Sequence, residues 1–308
     1  MSSDSVFANK VPTILITGKN GQVGWELQRA LLPVGKVVSV DRNQLDLSSS
    51  ESVRTFIRDI KPDIIVNAAA YTAVDKAEEE QELAYQINSV SPGIMAEEAK
   101  FIGALLIHYS TDYVFNGTKD CPYSESDEPD PLNVYGSSKL AGEKAIQGSG
   151  CDYLILRTSW VFASRGHNFL LSMLRLSQER EELKIVADQI GSPTSSKFIA
   201  CATLQIICQA LKERQLDEFD SGVFNLISSG KTSWHGFATA IIKSAQILLP
   251  ELTIITKKIE SIPTEEYPVP AKRPANSQLS TEKLQQRFAV YSPDWQEQME
   301  LSLQEVRL

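Results

Sequence analysis

The chain has 308 residues, 42% of them hydrophobic and 22% charged, with a formal net charge of −9. That length allows a sizeable core and two lobes, because single cores stop growing near about 250–300 residues. The acidic balance opposes non-specific binding to polyanions, and no stretch approaches the ~20 apolar residues of a membrane span, so nucleic acid and bilayer are excluded as partners. Residues 1–10 are small and polar and are read as a flexible N-terminus; they lack the basic start and apolar run of a signal peptide. Cys121, Cys151 and the pair Cys201 and Cys208 are scattered, the pair fitting two buried positions on one helix. Such cysteines are expected to be reduced thiols in a cytoplasmic protein.

In chain order, a β-branched strand is expected at 13–17, followed by a glycine turn and a helix whose apolar face carries Val23, Leu27, Ala30 and Leu31. A strand at 37–40 precedes a capping box at Ser48 and Glu51 and a helix with Val53, Phe56, Ile57 and Ile60 inward. Strands at 64–66, 104–108 and 153–156 alternate with helices at 87–101 and 135–145, and residues 116–133, holding three prolines, read as a long loop. Near-continuous apolar strands alternating with helices imply an α/β fold: a doubly wound parallel (Rossmann) sheet covered on both faces, with ligands at the carboxyl ends of its strands.

Beyond Trp160 the alternation loosens into helices at 168–178, 198–211 and 233–248 and strands at 183–186 and 223–226. Residues 11–162 are therefore assigned to an NAD(P)-binding domain and 163–308 to a smaller substrate-binding lobe, part of 196–228 being able to pack back on the sheet. Residues 262–276, with Pro263, Pro268, Pro270 and Pro274, are expected to cross the surface as a non-helical segment before two terminal helices. The last of these aligns Trp295, Met299, Leu303 and Val306 on one face.

The segment Gly18-Lys19-Asn20-Gly21-Gln22-Val23-Gly24 follows the first strand and opens a helix, where backbone N–H groups and the helix dipole face a pyrophosphate. Its spacing is G-x-x-G-x-x-G. At the end of the second strand, Asp41 suits ribose hydroxyls and Arg42 suits a 2′-phosphate, so either NAD or NADP fits, with Arg42 favouring NADP; a plain surface pair is the other reading. Asp46 and Leu47 are candidates for the adenine edge, and Ala68, Ala69 and Ala70 leave room for a cofactor across the strand ends.

Tyr135 and Lys139, four apart, share one helical face. Reduction of a ketone needs a proton at oxygen as hydride reaches carbon. A phenol with a pKa near ~10 is a weak acid for this, and a nearby ammonium is expected to lower it. Thr111, at the same sheet edge, is placed to hydrogen-bond the carbonyl oxygen.

These motifs together resemble the extended short-chain dehydrogenases and, within them, the dTDP-4-dehydrorhamnose reductases. The resemblance runs from Thr13 onward and is carried by TGKNGQVG at 17–24, VNAAAYTAVDKAE at 66–78, YSTDYVF at 109–115, LNVYG at 132–136, RTSWV at 157–161, DQIGSPT at 188–194 and AKRP at 271–274. It implies NADPH- or NADH-dependent reduction at C4 of dTDP-4-dehydro-L-rhamnose for surface polysaccharide, with Thr111, Tyr135 and Lys139 catalytic and the last two also on the cofactor. Asp112, Tyr113 and Trp160 would then meet the deoxysugar, and Arg273 the nucleotide end of the substrate. Related dehydratases carry Glu where Tyr113 stands, which favours reduction over dehydration. Some relatives hold a metal at a homodimer interface; Glu26 matches one such position, but Lys197 replaces an expected acid, so no obligatory metal is expected and a homodimer stays open. A non-catalytic regulatory subunit and a sugar-nucleotide epimerase are the alternative functions. His108, His167 and His235 are expected to be core or surface residues, and Glu78-Glu79-Glu80 a solvated face.

Overall fold

In β1 (Thr13–Thr17), Ile14, Leu15 and Ile16 are all fully buried, so both faces of the strand are covered, as a parallel strand between two helical layers requires. It lies in a six-stranded sheet with β2 (Lys36–Val40), β3 (Ile64–Asn67), β4 (Leu105–Thr111), β5 (Asp152–Thr158) and a last strand, Gly222–Asn225. The order is Gly222–Asn225, β5, β4, β3, β1, β2, and every neighbouring pair is parallel. The chain reverses direction across the sheet between β1 and β3, which opens a crevice at their carboxyl ends. This computed structural model describes residues 11–306; the reading of residues 1–10 as a flexible N-terminus lies outside the described residues.

The period of two along each strand divides the core. Ile14, Ile16, Val66, Ile107 and Leu156 face one layer, formed by α1 (Gln22–Ala30) and the helix Ser196–Gln215. Leu15, Ile65, Leu106 and Ile155 face the other, where α2 (Ser50–Ile60) and the helix Ser91–Ile102 contribute Val53, Ile57, Met95 and Ala99. Thus Ser196–Gln215 and Gly222–Asn225, though late in the chain, build the sheet half. A separate core unites the helices Phe169–Glu179, Trp234–Leu248 and Trp295–Gln304 through Leu170, Met173, Phe237, Ile241, Met299 and Leu303. Beside it, Glu182–Val186 pairs in parallel with Lys258–Ile262. None of the described helices is long and apolar enough to cross a membrane.

Three local expectations are corrected. Ser49, not Ser48, caps α2 by accepting from Ser52 N, while Ser48 bonds back to Asp46. The helix expected at 87–101 begins earlier, as Gln81–Tyr85, passes through a π-helical turn at Gln86–Val90 and continues as Ser91–Ile102. The wide turn aims Asn88 inward, where its amide clamps both backbone groups of Tyr71 (2.8 and 3.0 Å) and reaches Ser138 Oγ at 3.0 Å. Cys201 is exposed rather than buried, because the helix that carries it turns that face outward.

The helix Val134–Ser149 is anchored to β5 by a buried fork, Arg157 Nε and Nη2 donating to Glu143 at 2.9 and 2.6 Å. Removing one partner strands the other charge in the core. Glu143→Ala should therefore lose about 3–5 kcal/mol in urea unfolding, and the double change Glu143→Ala with Arg157→Met should recover most of it. Equal loss in the single and double variants would show that the pair contributes by shape alone.

Candidate active site at the strand ends

The crevice is lined first by the glycine loop. Gly18 has φ +72°, and a Cβ there would lie 2.9 Å from both Ala68 O and Ala69 N; a Cβ on Gly24 would lie 2.1 Å from Gly18 O. The loop is thus seated directly on the end of β3, which only glycine permits. Gly21 stands at the N-cap of α1 with no side chain capping the helix, so the first-turn N–H groups remain for an anion. Gln22 Oε1 is buried there with no hydrogen-bond partner among the described residues. At the end of β2, Asp41 receives Lys19 Nζ and Asn20 Nδ2, each at 3.2 Å. Desolvation acts to raise its pKa, but the bonds from Lys19, the Asn43 backbone and Asn20 outweigh it and hold the carboxyl below its ordinary range. Arg42 beside it is exposed. Glycine contacts no side chain can replace, an uncapped helix N-terminus and a carboxylate at the second strand end fit a dinucleotide. Asp46 is taken up by its own turn, accepting from Ser48 N and Oγ at 2.9 and 2.8 Å, and the buried Leu47 gives its carbonyl to Ser91.

One strand further on, β4 runs through Ser110 to Thr111, longer than the expected 104–108. Thr111 Oγ1 accepts from Tyr113 N at 3.2 Å and donates to Asp112 Oδ1 at 2.9 Å. Asp112 is buried, and burial pushes its carboxyl up to about 6 against its hydrogen bonds. The helix Val134–Ser149 starts at Asn133, whose side chain accepts from Gly136 N at 2.8 Å and donates to Lys272 O at 2.7 Å. A Cβ on Gly136 would meet Tyr113 O at 2.2 Å and one on Gly142 would meet Asn88 O at 2.1 Å. The helix is therefore pressed onto the strand ends, with the Tyr135 ring edge-on to Tyr113 at 5.6 Å between centroids.

Burial pushes the Tyr135 phenol up to about 12, with a hydrogen bond from Thr111 opposing it. Contrary to the expectation from spacing, the phenol is thus raised. Lys139 Nζ is turned into the sheet, 2.6 Å from Tyr109 O and 3.1 Å from His108 Nε2, and burial brings its pKa down to about 8 while Glu143 opposes. A four-residue interval sets the helical face but not where a flexible lysine head settles.

On the far side of the crevice, Trp160 follows β5 with φ +47° and stacks on Trp234 at 3.6 Å and 7°. Gly191 packs against its edge so tightly that a Cβ would lie 2.5 Å from the ring. Arg273 forks Asp75 at 3.1 and 2.7 Å, fastening the proline-rich crossing to the short helix Val74–Ala77 that follows β3, and the charge of Arg273 is felt at Tyr113. Glu78 is no solvated face, since its carboxylate accepts from Val134 N at 2.8 Å at the start of the Tyr135 helix. Glu26 has no acidic partner in Lys197, which pairs with Glu305. Among the described residues no group of three or more His, Cys, Asp or Glu is placed to hold a metal ion.

The crevice therefore brings together residues 18–24, Asp41, Ala68 to Ala70, Thr111 to Tyr113 and Tyr135. Sequence patterns gave no separate site role to Lys19, Asp75, His108 or Trp234, whose partners here are Asp41, Arg273, Asn67 and Trp160. Only the short interval from Lys19 to the glycines offered a local signal.

A family model described as "RmlD substrate binding domain" matches residues 12–308. The chain is 51% identical over 282 residues to the dTDP-4-dehydrorhamnose reductase of Burkholderia thailandensis, covering 92% of this chain and 95% of that one. It is 48% identical over 287 residues to that of Escherichia coli K12, covering 92% and 94%. The crystal structure of dTDP-4-dehydrorhamnose reductase from Bacillus anthracis in complex with NADP matches with a TM-score of 0.86 at 35% identity, over 96% of this chain and 100% of that one. A UDP-glucose 4-epimerase from Thermus thermophilus, TM-score 0.76 at 19% identity, over 96% and 99%, shares the fold alone. With its motif set on one sheet edge and these matches spanning nearly its whole length, the chain belongs to the RmlD family of dTDP-4-dehydrorhamnose reductases.

Proposed function

We propose that this protein reduces the C4 ketone of dTDP-4-dehydro-L-rhamnose to the alcohol, giving dTDP-L-rhamnose, with NADPH or NADH. What supports this reading is that Thr111 and Tyr135 lie beside each other past the end of β4 on the edge that holds the glycine loop, with Lys139 one helical turn on, in a chain 51% identical to a reductase of that name. Bound NAD(P)H supplies the hydride to C4. Tyr135, protonated throughout the neutral range because burial holds its pKa near 12, gives its proton to the ketone oxygen. Thr111 hydrogen-bonds that oxygen as charge develops on it. Lys139 sits beneath the phenol's helix turn with a pKa of about 8, in the range where it exchanges protons at working pH.

Residues 18–24 hold the pyrophosphate, Asp41 and Arg42 the adenosine ribose, and the Ala68 to Ala70 strand end the centre of the cofactor. Tyr113 and Trp160 pack on the deoxysugar; Asp112 lies behind Thr111. Arg273 takes the nucleotide diphosphate after sharing or leaving Asp75. We assign the sheet half as the cofactor domain and the three-helix core as the substrate lobe, in a cytoplasmic enzyme. The names of the relatives favour a reductase over an epimerase or a regulatory subunit.

Incubation with dTDP-4-dehydro-L-rhamnose and NADPH or NADH should consume one reduced cofactor per sugar, read as loss of nicotinamide absorbance; intact substrate after long incubation would refute the assignment. Tyr135→Phe should lower kcat by about 10²–10⁴-fold and leave cofactor affinity close to that of the unaltered chain. Near-normal turnover would remove Tyr135 as the acid. Gly24→Ala should weaken cofactor binding in a fluorescence titration by at least about tenfold, roughly 1.4 kcal/mol, because the start of α1 must move off the Gly18 carbonyl to admit the methyl group.

A further inference from the structure

The chain leaves β5 for the second lobe through a single bent residue. Trp160 has φ +47°, a left-handed conformation that costs free energy in a bulky residue and persists only where its surroundings impose it. Those surroundings come from the lobe. Thr194 N donates to Trp160 O at 3.2 Å, and the next two residues, Val161 and Phe162, pair in parallel with Thr194 and Ser195. Beside them, the ladder of Thr232 and Ser233 against Gly191 and Ile190 brings two further groups to the indole. Trp234, which follows Ser233 at the start of its helix, lies flat on one face of the ring at 3.6 Å and 7°. Gly191 meets the ring at Cε2 and Nε1, where a Cβ would lie 2.5 and 2.7 Å away. Trp234 is backed in turn by Phe169, at 4.6 Å between centroids, which packs against the three-helix core.

Packing alone does not account for this arrangement. A flat stack with ring centres so close is not the offset or edge-on geometry that aromatic pairs prefer, and the bent backbone adds its own cost. Face, edge and carbonyl of Trp160 are each fixed by a separate contact, yet the residue stays partly exposed just past the end of β5, beside the crevice. An aromatic ring held in one orientation and left partly open offers the apolar C–H face of a sugar a ready-made platform, with little ordering left to do on binding. We propose that Trp234 and Gly191 are positioning residues that hold Trp160 as a fixed platform for the deoxysugar, so that the second lobe sets where the ketone lies against the cofactor. Both act through the indole. The consequence for the sugar rests on the reductase reading; the holding of the indole does not.

Two stacked indoles give a far-ultraviolet exciton couplet in circular dichroism. The unaltered chain should show it, and Trp160→Phe and Trp234→Phe should each abolish it. A spectrum that neither change alters would overturn the placement whether or not the protein reduces the sugar. In turnover, Trp234→Ala should lower kcat/KM for dTDP-4-dehydro-L-rhamnose by about 10–100-fold, mostly through KM, with the Kd for NADPH unchanged. Gly191→Ala should act in the same way by driving its methyl group into the ring. Trp234→Phe keeps a flat surface against the indole and should recover most of the loss without restoring the couplet. A double-mutant cycle decides between routes: added to Trp160→Ala, the Trp234→Ala change should cost little more. Losses that multiply, or a fall in NADPH affinity equal to the fall in kcat/KM, would show that Trp234 serves the fold as a whole and would refute its action through Trp160.

Discussion

The close seating of the helix Val134–Ser149 on the strand ends is the constraint from which the site follows. At Gly136 and Gly142 the helix touches the carbonyls of Tyr113 and Asn88 with no room for a Cβ. Between them the Asn88 amide reaches Ser138, and one turn on, Glu143 is forked by Arg157. The seating requires the π-helical turn, since without the extra residue Asn88 would not point inward. Because the helix cannot shift, Tyr135 is held against Tyr113 and Thr111, and Lys139 is driven into the sheet.

Burial, more than charge, then sets the protonation chemistry. Tyr135 and Asp112 are pushed up and Lys139 and His108 pulled down, in each case with desolvation as the largest cause. In such a low-dielectric setting each hydrogen bond has a strong effect, and an unmatched donor or acceptor is costly. Two buried polar atoms near the strand ends, Ser110 Oγ and Thr158 Oγ1, have no hydrogen-bond partner among the described residues.

Much of this was determined by the sequence on its own. The apolar runs of β1, β3, β4 and β5 could only be strands covered on both faces, and glycines at 18, 21 and 24 directly after a strand could only form a loop closing on a helix. These are local signals, governed by the period of side chains along the backbone and by the φ values that each residue tolerates. Thr111, Tyr135 and Lys139 were legible as candidates in the same way, Thr111 closing β4 and the other two sharing one face of the next helix. Tertiary structure decided the rest. The return of Gly222–Asn225 to β5, the stacking of Trp234 on Trp160, the Asp75–Arg273 fork and the place of Glu78 join residues far apart in the chain, and no periodicity encodes such pairs. The direction of the Tyr135 and Lys139 pKa shifts was likewise invisible, because it depends on how much water the fold removes around a side chain, and desolvation is a property of the packed whole.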